Sequence, residues 1–94
     1  MQRFDYCKAR GCDTLIQWAT SPAGRSIPVD SIPITSSQDE RAIRHRKAPL
    51  YTLAEGRLTS HGNADVAFSS ARNQPLFISH FVTCEKREQF RRAR

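Results

Sequence analysis

The sequence predicts a small α+β, β-rich fold in which hairpins are stapled together by a bound metal and a short basic helix closes the chain. Three observations carry that expectation. Two pairs of Cys and His residues lie near opposite ends of the chain, two stretches of β-forming residues turn back on themselves, and the last ten residues run from acidic to basic. With 94 residues and 38% of them apolar, the chain has room for one core, so residues 1–94 are read as a single domain. A chain of this size buries only roughly 60–70% of the surface its unfolded form exposes, and small domains of this kind commonly draw extra stability from a metal or a disulfide.

The cysteines indicate which of the two applies. Three of them, Cys7, Cys12 and Cys84, cannot all pair within the chain. The first residues lack the charged-then-apolar profile of an export signal, and no apolar run approaches the roughly 20 residues that span a bilayer. A cytoplasmic protein with no membrane association is therefore expected, in a compartment where disulfides are rare. Cys7-Lys8-Ala9-Arg10-Gly11-Cys12 forms a C-x4-C pair and His80-Phe81-Val82-Thr83-Cys84 an H-x3-C pair. Two close pairs make four N/S donors, the set that structural Zn²⁺ takes in tetrahedral geometry, with Gly11 easing the turn between the thiols. One Zn²⁺ per chain, held by Cys7, Cys12, His80 and Cys84, is the expected cofactor. Four protein ligands leave no open position for water or substrate, so the metal is expected to be structural.

The elements follow in order. A short strand precedes the cysteine loop, and Thr14-Leu15-Ile16-Gln17-Trp18 reads as a strand with Trp18 in the core. Thr20-Ser21-Pro22-Ala23-Gly24 is a dense turn signal, and Arg25–Asp30 resumes an extended course, irregular because Pro28 and Pro33 cannot donate to a ladder. Residues 35–48 are nearly devoid of apolar side chains beyond Ile43 and read as a mobile basic loop, with Asp39 and Glu40 able to start one helical turn that Ala48-Pro49 would stop. Leu50–Ala54, the turn Glu55-Gly56 and Arg57–Ser60 form a second hairpin. Ala64–Phe68 reads as a further strand, Ser69–Gln74 as polar loop, and Pro75–Ser79 as a buried strand that ends at His80. About residues 85–94, Glu85 and Glu88 precede Arg91, Arg92 and Arg94, which matches a helix dipole.

Charge is one-sided. Positions 1–40 hold four basic and five acidic residues and positions 41–94 hold eleven and four, which sums to the net +6. Arg41, Arg44, Arg46 and Lys47 form one cluster, and Lys86, Arg87, Arg91 and Arg92 most of the other. Guanidinium forks match phosphate geometry, so nucleic acid is the expected partner, bound through the arginine-rich loop and the last helix. Enzyme signatures are missing: there is no H-E-x-x-H, G-x-S-x-G, phosphate-binding loop or deaminase pairing. Ser60, His61 and Asp65 are close in sequence but lack an oxyanion device, and His45 and His61 read as loop histidines. A non-enzymatic binding module is the expected class. The alternative is a small protein that binds and inhibits or redirects another protein through an acidic surface on that partner.

Cys7 and Cys12, Trp18, Ser21-Pro22-Ala23-Gly24-Arg25, Pro28-Val29-Asp30 and the closing Ser79-His80-Phe81-Val82-Thr83-Cys84 together resemble a family of small zinc-finger-like, or zinc-ribbon-like, proteins of actinobacteria and their phages. This sequence has C-x4-C where C-x2-C is usual there and Glu85 where proline commonly follows the last cysteine. The resemblance implies the same four metal ligands and a bacterial or phage origin. For a phage protein the cytoplasm is that of the host, and the alternative partner is a host nuclease, defence or transcription component.

Overall fold

Alternating β-forming residues on either side of two tight turns build most of the sheet. The computed structural model describes residues 3–7, 12 and 14–84. The expected C-terminal helix, with Lys86, Arg87, Arg91 and Arg92, lies outside the described residues, as does Gly11. The element order is β1 (Arg3–Tyr6), β2 (Leu15–Thr20), β3 (Ser26–Asp30), α1 (Glu40–Arg44), β4 (Leu50–Ala54), β5 (Arg57–Ser60), α2 (Ala64–Ala71), β6 (Phe77–Ile78) and α3 (His80–Thr83).

Both predicted hairpins form. In the first, β2 and β3 pair antiparallel from Ile16↔Asp30 to Thr20↔Ser26, and the turn is closed by Ser21 N–H to Arg25 O at 2.7 Å and Gly24 N–H to Ser21 O at 2.8 Å. In the second, β4 and β5 pair from Tyr51↔Ser60 to Ala54↔Arg57. Glu55 and Gly56 both have positive φ, 53° and 77°, the type I′ pattern whose twist matches that of the flanking strands.

The sheet curls until its ends meet. β2 pairs with β3, and the chain running on from β3 lies antiparallel to the β6 segment through the bridges Val29↔Ser79 and Ile34↔Leu76. β6 pairs with β4, β4 with β5, and β5 returns to β2 at Thr20↔Arg57, where Thr20 N–H donates to Gly56 O at 2.8 Å. β1 is added along β2, from Arg3↔Trp18 to Tyr6↔Leu15. Isolated bridges take the place of a continuous ladder beside Pro28 and Pro33, as expected of an irregular strand.

The middle of the chain differs from its sequence reading. Ala64–Ala71 is helix α2 and not a strand, and the predicted polar loop begins only after it. Gly62 turns the chain at φ +82°, and Asn63 caps the helix, its side chain accepting from Asp65 N–H at 3.0 Å. Those two residues outweigh the β preference of Val66 and Phe68. Residues 35–48 contain α1, capped by Asp39, whose side chain accepts from Arg41 N–H at 2.9 Å. Trp18 is half-buried and not part of the core.

The largest core lies in this middle portion: Ile34, Ala42, Leu50, Ala67, Ala71, Leu76 and Ile78, with Phe68 and Val82 against them. Ala19, Val29 and Leu58 form a second cluster under the curled sheet, joined by Ile27, Leu53 and Phe77. Among the described residues no helix is long and apolar enough to cross a membrane.

The bend before α2 makes a test of local strain. A Cβ on Gly62 would sit 2.8 Å from Val66 Cγ2, and the left-handed backbone itself disfavours a side chain. Gly62→Ala is expected to lower stability by roughly 1–2 kcal/mol, read as a reduced urea midpoint. An unchanged midpoint would show that α2 can shift away at no cost.

Candidate metal centre

The four predicted ligands come together where the two ends of the described chain meet. Cys7 follows β1, and its N–H donates to Thr14 O at 2.9 Å, which pins the base of the C-x4-C loop against the start of β2. Ser79 caps α3, its hydroxyl accepting from Phe81 N–H at 3.2 Å, so His80 is the first helical residue and not the last of a strand. Cys84 N–H closes the turn on His80 O at 2.8 Å. The H-x3-C spacing is thus one helical turn, which places residues i and i+4 on the same face.

The donor atoms of Cys7, Cys12, His80 and Cys84 all lie within 4.8 Å of one another, and all four residues are buried. Cys7 Sγ is 3.7 Å from Cys84 Sγ, and Cys12 Sγ is 3.5 Å from His80 Nε2. A disulfide needs S–S near 2.05 Å, and none of the three cysteines is in a disulfide. A tetrahedron with Zn–S bonds of about 2.3 Å has S···S edges of about 3.8 Å, close to the Cys7–Cys84 separation. The cluster can therefore hold one metal ion.

A carboxylate stands behind the histidine. Asp30, at the end of β3 and 6% exposed, has Oδ1 2.7 Å from His80 Nδ1. The Thr83 hydroxyl reaches both Asp30 oxygens at 2.9 Å, and Arg41 Nη1 lies 3.4 Å from Oδ2. Arg41 is itself held by Asp39 and by the carbonyls of Ile32 and Pro33, at 2.7 and 3.2 Å.

These contacts set the charges. Burial works against the His80 imidazolium, but Asp30 and the Cys7 and Cys12 thiols outweigh it, and its pKa is pushed up to about 9. Burial also raises Asp30, yet bonds from His80, Thr83 and Arg41 hold its carboxyl below the usual range. Cys12 is raised by burial and lowered more by the Thr14 backbone and hydroxyl and by Cys84 and Cys7, which bring it down to about 6. A metal takes thiolates and the neutral imidazole, so its binding would displace the Nε2 proton of His80 while the Nδ1 proton stays hydrogen-bonded to Asp30.

The four basic residues predicted for the 35–48 loop fall into three groups. Arg41 is turned inward on Asp30 and Asp39. Arg44 pairs with Glu40 at 2.7 Å and Arg46 with Asp65 at 2.8 Å, both on the exposed surface, where such pairs are worth about 0–1 kcal/mol. Lys47 is exposed. Ser60, His61 and Asp65 are not assembled as a triad. His61 is bonded to Thr52 Oγ1 and Ser70 Oγ, both at 2.9 Å, and Asp65 is taken by Arg46.

Sequence reasoning found the four donors and missed Asp30 and Thr83 as their supports. The Pro28-Val29-Asp30 and Ser79–Cys84 patterns are the only sequence signal that contains them. Comparison with known proteins gives no match to any family model, any curated protein or any solved structure.

Proposed function

We propose that this is a non-enzymatic, zinc-stapled binding module whose exposed arginines engage the phosphates of DNA or RNA. The observation that carries the metal assignment is the buried Cys3His donor set within 4.8 Å, with a carboxylate on the far nitrogen of the histidine. Three thiolates and an imidazole suit Zn²⁺ and fill its tetrahedral sphere, so the metal would supply folding free energy and leave no position for catalysis. The nucleic-acid reading is supported by the net charge of +6 and by Arg44, Arg46 and Lys47 on the surface. Arg44 and Arg46 can exchange their weak surface partners for phosphate oxygens at little cost.

Binding of zinc-loaded protein to labelled duplex and single-stranded oligonucleotides at two salt concentrations tests this reading. Affinity should fall steeply as salt rises, and the triple change Arg44→Ala, Arg46→Ala, Lys47→Ala should weaken binding alike across sequences. Absence of binding even at low salt would overturn it.

One surface favours a second reading, a protein partner. Phe4, Tyr6 and Leu15 are 53%, 60% and 38% exposed on one side of the β1–β2 pair, with Tyr6 directly opposite Leu15. An aromatic patch on a basic chain also suits a protein with an acidic surface. In that case Phe4→Ala and Tyr6→Ala would remove a protein partner and leave nucleic-acid affinity unchanged.

A further inference from the structure

We infer that Asp30 is a positioning residue for the metal centre, fixing the His80 tautomer that presents Nε2 to the metal and joining that ligand to the loop before α1. The inference rests on the metal-centre reading above. Its starting point is the cost of the carboxylate itself. A carboxylate as buried as Asp30 is unfavourable unless its oxygens are bonded. Here they are: Oδ1 takes His80 Nδ1, Oδ2 takes the Arg41 guanidinium, and the Thr83 hydroxyl, 2.9 Å from both oxygens, shares its one proton between them.

The arrangement is directional. His80 Nε2 faces Cys12 Sγ, and Nδ1 faces Asp30 Oδ1, so the two ring nitrogens point to different partners. An ionised carboxylate accepts only, so Nδ1 is the nitrogen that keeps its proton and Nε2 the one that gives up its own to free a lone pair for a metal. Negative charge behind the ring also raises its basicity as a ligand. Thr83, one residue before Cys84, aims the carboxylate, so α3 supplies two ligands and the clamp on their support. Arg41 offsets the carboxylate's charge, and its bonds to Ile32 O and Pro33 O tie the segment leading to α1 to the same group. Arg41, expected from the sequence to meet a phosphate, thus acts inward.

The test uses the full chain loaded with zinc, as wild type, Asp30→Asn, Asp30→Ala and Thr83→Val. Zinc affinity is read by chelator competition and the His80 ring by ¹H–¹⁵N spectra. Asp30→Asn should bind one zinc about 10–100-fold more weakly, and Asp30→Ala at least as weakly. In wild type the Nδ1 proton should resonate downfield and exchange slowly. It should move upfield in Asp30→Asn and exchange rapidly in Asp30→Ala, changes that a general loss of stability would not produce. Thr83→Val keeps the His80–Asp30 bond and should retain the downfield proton. Asp30→Asn with wild-type affinity and an unchanged ring spectrum would overturn the role. Should the Asp30 variants fail to fold, wild type and Thr83→Val decide, because His80 ligated through Nδ1, or lacking a protected Nδ1 proton, also overturns it. Wild-type protein that binds no zinc would instead bring down the metal centre itself, and Asp30's role with it.

Discussion

Cys84→Ser is expected to leave the chain without its metal and without a cooperative fold at neutral pH. Cys84 is fully buried, follows α3 and faces Cys7 at 3.7 Å, so it joins the end of the described chain to its beginning. Serine replaces a thiolate with a neutral hydroxyl that binds Zn²⁺ poorly and leaves a polar group in a buried site. Structural zinc supplies on the order of 10 kcal/mol or more at neutral pH, comparable with the entire stability of a small domain. His80→Ala should act alike, and chelation of wild-type protein should reproduce both. Far-UV circular dichroism and urea unfolding, with and without added zinc, measure the effect. A Cys84→Ser protein as stable as wild type would show that the fold does not depend on this cluster.

Leu76→Ala is expected to cost about 2–5 kcal/mol, the range for emptying a well-packed apolar site. Leu76 is fully buried in the largest core, and its backbone pairs with Ile34 through Ile34 N–H to Leu76 O at 2.6 Å and the return bond at 3.3 Å. That bridge helps close the curled sheet, so a cavity there loosens the strand that leads to His80. Ile43, 59% exposed on α1, is the control: Ile43→Ala should stay within about 0.5 kcal/mol of wild type. Equal urea midpoints for the two variants would mean that the middle of the chain does not carry the core ascribed to it.

The hairpins and the four metal donors were legible in the sequence because their signals are local. Glu55-Gly56 between two β-forming runs set the Leu50–Ser60 hairpin, and two short Cys/His spacings marked the donors. Helix α2 was not legible in the same way. Val66 and Phe68 favour strand, and what decides the matter is the turn at Gly62 with the Asn63 cap, two residues that lie before the segment whose propensity they override. His80 was expected at the end of a strand, and Ser79 as a cap turned it into the first residue of a helix. Asp30 was hidden for a different reason. Its role exists only after β3 packs beside α3, fifty positions later in the chain. Arg41 was hidden likewise, because a basic run reads as surface until one of its members finds a buried carboxylate.

The most direct test of the metal centre is metal analysis and zinc-edge X-ray absorption on protein purified without added chelator. The proposed zinc assignment predicts one zinc per chain, with three sulfur neighbours at about 2.3 Å and one nitrogen at about 2.0 Å. A folded protein that contains no metal, or a zinc bound mainly by oxygen, would contradict it.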